Sequence, residues 1–174
     1  MFIELRKGIT LRSGTFTAVI APEQVILSAL TAAPDLERFL FLYVCGTSSR
    51  LLSRIHRSSP NFEIRRPFTA DQLLRVVRES SHTVIFIEHN PALFEYADHL
   101  LPPVAAALRS AGEESLLVLY SPAMDPSFAA LSRGADRTIE ILHTAETPES
   151  RRSMTARSRF TGNMRAAQKT LGVI

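Results

Sequence analysis

One cysteine in 174 residues leaves no internal disulfide to build with. Cys45 sits in the apolar run "FLFLYVC", the setting of a buried structural residue rather than of a reactive thiol, which needs an accessible, electropositive site. A chain without disulfides fits a reducing, cytoplasmic compartment. Long apolar runs are missing too. The longest, "FLFLYVC" and "TVIFI", are far too short to cross a bilayer. The opening "MFIELRKGIT" alternates polar and apolar residues where a signal peptide would carry an apolar block. The expectation is a soluble protein with no membrane partner. There is no internal repeat and no low-complexity tract, and residues 151–174 contain no acidic side chain.

What is present describes an ordinary globular chain, with 45% hydrophobic and 21% charged residues and enough length for one buried core. The net charge of +3 is unevenly spread. Residues 1–150 carry 14 basic and 17 acidic side chains, whereas Arg151, Arg152, Arg157, Arg159, Arg165 and Lys169 give the remainder +6. Arginine supplies 18 of the 20 cations, and guanidinium is the better group for bidentate phosphate or carboxylate contacts.

Apolar strands alternate with helical segments along the chain. Residues 2–5 and 9–12 read as a strand pair turning at Lys7-Gly8. Strand "FTAVIA" leads into helix "EQVILSALTAA"; strand "FLFLYVC" leads through "GTSS", with Ser48 and Ser49 as caps, into helix "RLLSRIHRS". "NFEIRRP" reads as a short strand. Thr69 and Gln72 form a capping box for "ADQLLRVVRES". "TVIFIEH" is a strand buried on both faces. "ALFEYADHL" and "PPVAAALRSAG" read as helices, the second ending on Gly112. Strand "SLLVLYS", helix "PSFAALSRG" and strand "RTIEIL" complete the series. This order predicts an α/β fold: one three-layer αβα domain over residues 1–146 with a mostly parallel central sheet, and a basic tail or appended element over residues 147–174.

From Ile9 to Leu142 the motif order resembles the ATPase core of the RecA/RadA recombinase superfamily, its KaiC-like branch included. "SGTFTAVIAP" is similar to the family's first strand and the start of its phosphate loop, and "HTVIFIEHNPALF" lies where the Walker B strand would be. "SLLVLYSP" and "GADRTIEIL" resemble the later core strands. The resemblance implies a RecA-like fold. Another doubly wound α/β domain, with its ligand crevice at the strand C-termini, is the alternative.

The chemistry departs from that pattern. A phosphate loop needs glycines to curl its amides around phosphate, a lysine, and a Ser or Thr for magnesium. This chain has Ala21, Pro22, Glu23 and Gln24 there, and Glu23 at a helix N-terminus would repel phosphate. The position of the water-orienting glutamate falls in "CGTSS", and the family's polar sensor is replaced by Ser121-Pro122. Glu88 stands at the Walker B aspartate position, a residue type that could still contact a metal. The resemblance therefore implies a degenerate P-loop and a pseudo-ATPase without cofactor.

Three functions follow from different classes. The first is a non-catalytic accessory or regulatory factor in DNA recombination or repair, binding DNA or a RecA/RadA-type partner. Arg151, Arg152, Arg157, Arg159, Arg165 and Lys169, with Phe160 among them and Arg65 and Arg66 elsewhere, are its candidate contacts. The second is a KaiC-like scaffolding module acting by protein contacts or self-association. The third is an enzyme rebuilt around Glu88 and His89, with Glu95, Asp98 and His99 close in sequence.

Overall fold

The computed structural model describes residues 2–55 and 59–142, all within one compact unit, Met1–Leu142. The chain begins with an antiparallel pair, β1 (Phe2–Arg6) and β2 (Ile9–Arg12). Gly8 closes the turn at a φ of 84°, a left-handed conformation that a residue without Cβ adopts freely. Alternation in β1 turns Ile3 and Leu5 inward and leaves Phe2, Glu4 and Arg6 exposed.

The main sheet holds six parallel strands: β3 (Thr15–Ile20), β4 (Phe41–Val44), β5 (Phe62–Arg65), β6 (Val84–Glu88), β7 (Leu116–Ser121) and β8 (Arg137–Glu140). Their spatial order is β5-β4-β6-β7-β3-β8. Every residue of β4 and β7 is buried, which is why these strands are apolar nearly throughout instead of alternating. Four helices, α1 (Glu23–Thr31), α2 (Ala70–Arg78), α3 (Leu101–Glu114) and α4 (Pro126–Ser132), flank the sheet.

Alternate strand residues feed two separate cores. Phe41, Tyr43, Phe86, Val118 and Tyr120 pack with Ile26 and Leu30 of α1 and with Ile3, Leu5 and Leu11 of the hairpin. Leu42, Val44, Ile85, Ile87 and Leu119 pack with α2, α3 and α4. Helices thus cover both faces, an arrangement compatible with a three-layer αβα domain. In α2, Leu73, Leu74 and Val77 point to the core at helical spacing while Asp71, Arg75 and Arg78 face outward. Burying each of those three apolar side chains contributes about 1.5–3 kcal/mol.

Four departures from the sequence expectation have local causes. The helix expected over "RLLSRIHRS" is a short 3-10 turn, Leu52–Arg54, and residues 56–58 lie outside the described residues. Of the two expected caps, Ser49 accepts from the Leu52 amide at 3.0 Å, although the N-cap of the turn is Leu51, which has no side-chain bond. "ALFEYADHL" forms two 3-10 turns, Pro91–Phe94 and Asp98–Leu100, because Phe94 is the one fully buried side chain of that segment and a single anchor does not hold a longer helix against the sheet. Helix α3 runs two residues past Gly112, which is buried mid-helix: a Cβ there would meet the Phe16 backbone nitrogen at 2.8 Å. Close approach, not capping, calls for that glycine. Finally, Thr69 caps α2 by accepting from the Gln72 amide, but the Gln72 side chain reaches Phe68 rather than Thr69.

The sheet order sets where a ligand crevice falls. Strand β3 leads through α1 toward β4, whereas β7 leads through α4 past β3 to β8. Likewise β4 leads outward to β5, while β6 leads the other way to β7. Crevices at such reversals open at the carboxyl ends of the strands, here between β3 and β7 and between β4 and β6.

Candidate functional site

Between β3 and α1 the chain passes from strand to helix through Ala21 and Pro22 alone. The Ala21 amide donates to the Ser121 carbonyl at 3.3 Å. Its carbonyl accepts from the buried Tyr120 hydroxyl at 3.2 Å. Pro22 has no amide hydrogen and is the N-cap of α1 without a side-chain bond; the Val25 amide folds back onto the Pro22 carbonyl. Glu23 fills the first turn, where the helix dipole favours its charge. Among the described residues, the glycines with positive φ are Gly8 and Gly14, neither of them in this junction. The junction therefore lacks the left-handed glycine that curls successive amides into an anion nest.

The crevice between β4 and β6 is built differently. Across the face of the sheet that α1 covers runs a row of rings, Phe62, Tyr43, Phe86 and Tyr120, with centroids 6.0, 5.3 and 5.9 Å apart. Tyr43 brings its hydroxyl to Glu88 at the end of β6, donating to Oε2 at 3.0 Å. Ser49, in the loop after β4, donates to the same oxygen at 2.5 Å. Burial, partly offset by the Ser49 bond and reinforced by the Glu88 charge, pushes the Tyr43 phenol well above its ordinary range, so it remains a donor. Gly46, Thr47, Ser48, Ser49, Glu88 and Asn90 line an open cleft of about 350 Å³ with His89 and Ala92.

Cys45, below this cleft, is buried as expected. Burial raises its pKa, with Arg66 pulling down and the Glu88 charge pushing up. That is an inert thiol at neutral pH.

His89 belongs to a third cluster. Its ring is buried between Phe94 and Phe128, with centroids at 6.3 and 5.4 Å. Nε2 lies 2.9 Å from Asp125 Oδ2 and 3.1 Å from Ser127 Oγ. Burial lowers the His89 pKa against the pull of Asp125. Burial pushes the Asp125 carboxyl up, but bonds from Ser127 and the Phe128 amide and the charge of His89 carry it below its ordinary range. A neutral imidazole donating Nε2–H to an ionised carboxylate satisfies both directions. A nucleophile relay needs the hydroxyl and the carboxylate on opposite ring nitrogens. Here both meet one nitrogen, while Asp125 also caps α4 through the Ser127 and Phe128 amides. The cluster ties the end of β6 to the start of α4.

Of the expected site residues, Glu88 and His89 are adjacent but point into different clusters. Glu95, Asp98 and His99 are all exposed. Among the described residues no three of His, Cys, Asp and Glu come together as a metal site would require. Arg65 and Arg66 are exposed at the end of β5, close in the chain to Phe68, which is 69% exposed. Arg151, Arg152, Arg157, Arg159, Phe160, Arg165 and Lys169 lie outside the described residues. Tyr43, Ser49, Asn90, Tyr120, Asp125 and Ser127 escape the sequence expectation as site residues. Of these, Asp125 and Asn90 carry a legible signal as Asp-Pro and Asn-Pro helix starts, and Ser49 one as a cap, but none of these signals marks a site.

No protein-family model matches the chain. It is similar to an uncharacterized protein of Archaeoglobus fulgidus, 39% identical over 129 residues. The match covers 74% of this chain and 65% of that protein, so the chain spans less than two thirds of its relative's length.

Proposed function

We propose that the chain is a non-catalytic RecA/RadA-like module, an accessory or regulatory factor in DNA recombination or repair that acts by binding DNA or a recombinase partner. The observation that carries this reading is the sealed β3–α1 junction. Ala21 spends its amide on Ser121 and its carbonyl on Tyr120, Pro22 has no amide hydrogen, and Glu23 brings negative charge where a phosphate would sit. The six-stranded parallel sheet, with β3 between β7 and β8, supplies a frame of the right class. Phosphoryl transfer depends on positioned amides and cations, and this junction offers neither.

Support for nucleic acid comes from charge and aromatic exposure. Arg54 after β4, and Arg65, Arg66 and Phe68 at the end of β5, stand exposed near the carboxyl edge of the sheet. Guanidinium groups neutralise phosphates, and a free ring stacks on an unpaired base. The test has two arms. Mg-ATP leaves the melting temperature of the full chain unchanged, because a ligand of the native state must raise it. Single-stranded DNA binds with a log affinity that falls linearly with log salt. A rise in melting temperature with Mg-ATP overturns the reading, and no DNA binding at low salt overturns its nucleic-acid arm and leaves the recombinase partner.

A scaffolding role has its own support. Phe2 and Leu40 are exposed, and an apolar groove runs between β1 and the turn at Pro34–Arg38, lined by Phe2, Ile3, Ala33, Leu36 and Phe39. Concentration-dependent self-association without DNA binding favours that reading over the first.

A further inference from the structure

Glu88 is a half-buried carboxylate with no cationic partner among the described residues. No ion pair reaches it, and Arg66, just past the end of β5, lies against Cys45 instead. A charge withdrawn from water is ordinarily paired or multiply hydrogen-bonded. Glu88 is only half provided for. Oε2 accepts from both Tyr43 and Ser49, whereas Oε1 accepts from no described residue, and Glu88 forms part of the cleft wall.

The other lining groups narrow the chemistry. Among the described residues no Lys or Arg lines the cleft, so none of them would neutralise a phosphate or carboxylate ligand there. Metal binding asks for further anionic or imidazole ligands, and no such group of three exists among the described residues. A guanidinium prefers both oxygens of a carboxylate in a fork, and one of the two is already taken by two hydroxyls. A primary ammonium is a compact cation with three N–H donors. It needs one carboxylate oxygen and two neutral acceptors. Oε1 supplies the first, and the Thr47 and Ser48 hydroxyls, which bond to no described residue, supply the others.

We infer that the cleft between Gly46–Ser49 and Glu88–Asn90 binds the primary ammonium group of a small amine, with Glu88 as its counter-ion. The rim is already shaped for a close fit. Asn90 Oδ1 is fixed by the Ala92 amide, and Asn90 Nδ2 lies over Gly46, 2.9 Å from where a Cβ would stand. A volume of about 350 Å³ suits a small molecule. This inference does not depend on DNA binding or on the RecA-like reading.

The experiment titrates the full chain with propylammonium and follows backbone amide shifts of Gly46 and Asn90 by NMR. Saturable shifts are expected at millimolar concentrations, with none from glycerol or from tetramethylammonium, which has no N–H. Glu88→Gln keeps an oxygen for Tyr43 and Ser49 but puts an NH2 at the other position. It should lower the affinity about tenfold or more, the size of one charged hydrogen bond, at unchanged fold. Thr47→Val with Ser48→Ala should weaken binding less. N-acetyl-lysine methylamide separates the sources: equal affinity points to a lysine side chain, weaker affinity to a free amine. Absence of propylammonium shifts, equal response to tetramethylammonium, or undiminished binding by a folded Glu88→Gln variant overturns the inference.

Discussion

Tyr120 donates its buried hydroxyl to the carbonyl of Ala21 at 3.2 Å, closing the gap between the end of β7 and the start of α1. Burial and the charges of Glu23 and Glu88 hold that phenol far above its ordinary pKa, so it stays a donor across the physiological range. Tyr120→Phe removes the donor and leaves a buried carbonyl unpaired, at a cost of about 1–3 kcal/mol. Urea unfolding measures the loss. The variant should remain without a Mg-ATP thermal shift, since the junction still lacks the amides to cradle phosphate. A shift gained by Tyr120→Phe would mean that the hydroxyl alone had been blocking a competent site.

Gly112 and Phe16 make a second tight relationship, between α3 and β3. A Cβ on Gly112 would stand 2.8 Å from both the backbone nitrogen and the Cβ of Phe16. Backbone cannot step aside as a long side chain can. Glycine to alanine inside a helix ordinarily gains about 0.5–1 kcal/mol. At this position overpacking should reverse the sign, with Gly112→Ala losing about 1–3 kcal/mol. A thermal melt of the variant at or above the wild-type midpoint would contradict the packing described.

Those two relationships also explain what is legible in the sequence. The strands are, because unbroken apolar runs such as "TVIFIEH" permit little else: Val84–Glu88 forms where the run predicts it. Gly112 reads along the chain as a helix end because a glycine's neighbours in space, here Phe16, are invisible there. Leu51, Leu52 and Ile55 have helical spacing, yet a single 3-10 turn with one fully buried neighbour, Leu51, satisfies the same pattern. The site divides in the same way. Glu88 is identifiable as the polar end of a buried strand. Its partners Tyr43 and Ser49 are not, since they meet it only once β4 and β6 pair with Tyr43 opposite Phe86. Asp125 is legible as a cap but not as the partner of His89, which stands far earlier in the chain and meets it through the packing of α4 on the sheet.

Arg65 and Arg66 carry the prediction for nucleic acid. Arg65 also bonds Glu63 on its own strand, and that carboxyl is held below its usual range chiefly by this guanidinium. An exposed pair of this kind contributes little to stability, so replacing both arginines with alanine should leave the melt almost unchanged. For every phosphate that one of these guanidinium groups neutralises, its removal should lower the slope of log affinity against log salt by about 1. Fluorescence anisotropy with a labelled single strand, repeated over a salt series, reads the slope directly. An unaltered slope in the double variant would remove the β5 edge from the binding surface.

His89 and Asp125 together predict how stability responds to acid. In the folded chain burial makes His89 harder to protonate than in the unfolded chain, the attraction of Asp125 notwithstanding. Below about pH 6.5 the unfolded state therefore binds the extra proton first, and stability falls as pH falls. Asp125 adds a further loss at lower pH, because its carboxyl is also harder to protonate when folded. His89→Gln removes the first titration and keeps an amide able to donate to Asp125. Its urea midpoint should lie below the wild type at pH 8, where the wild-type ring is neutral and well packed between Phe94 and Phe128. In the window that opens just below about pH 6.5 the wild type should lose stability more steeply than the variant, so the two curves converge. Parallel curves across that window would show that the ring does not change its proton affinity on folding, and the neutral Nε2–H to Asp125 bond would have to be abandoned.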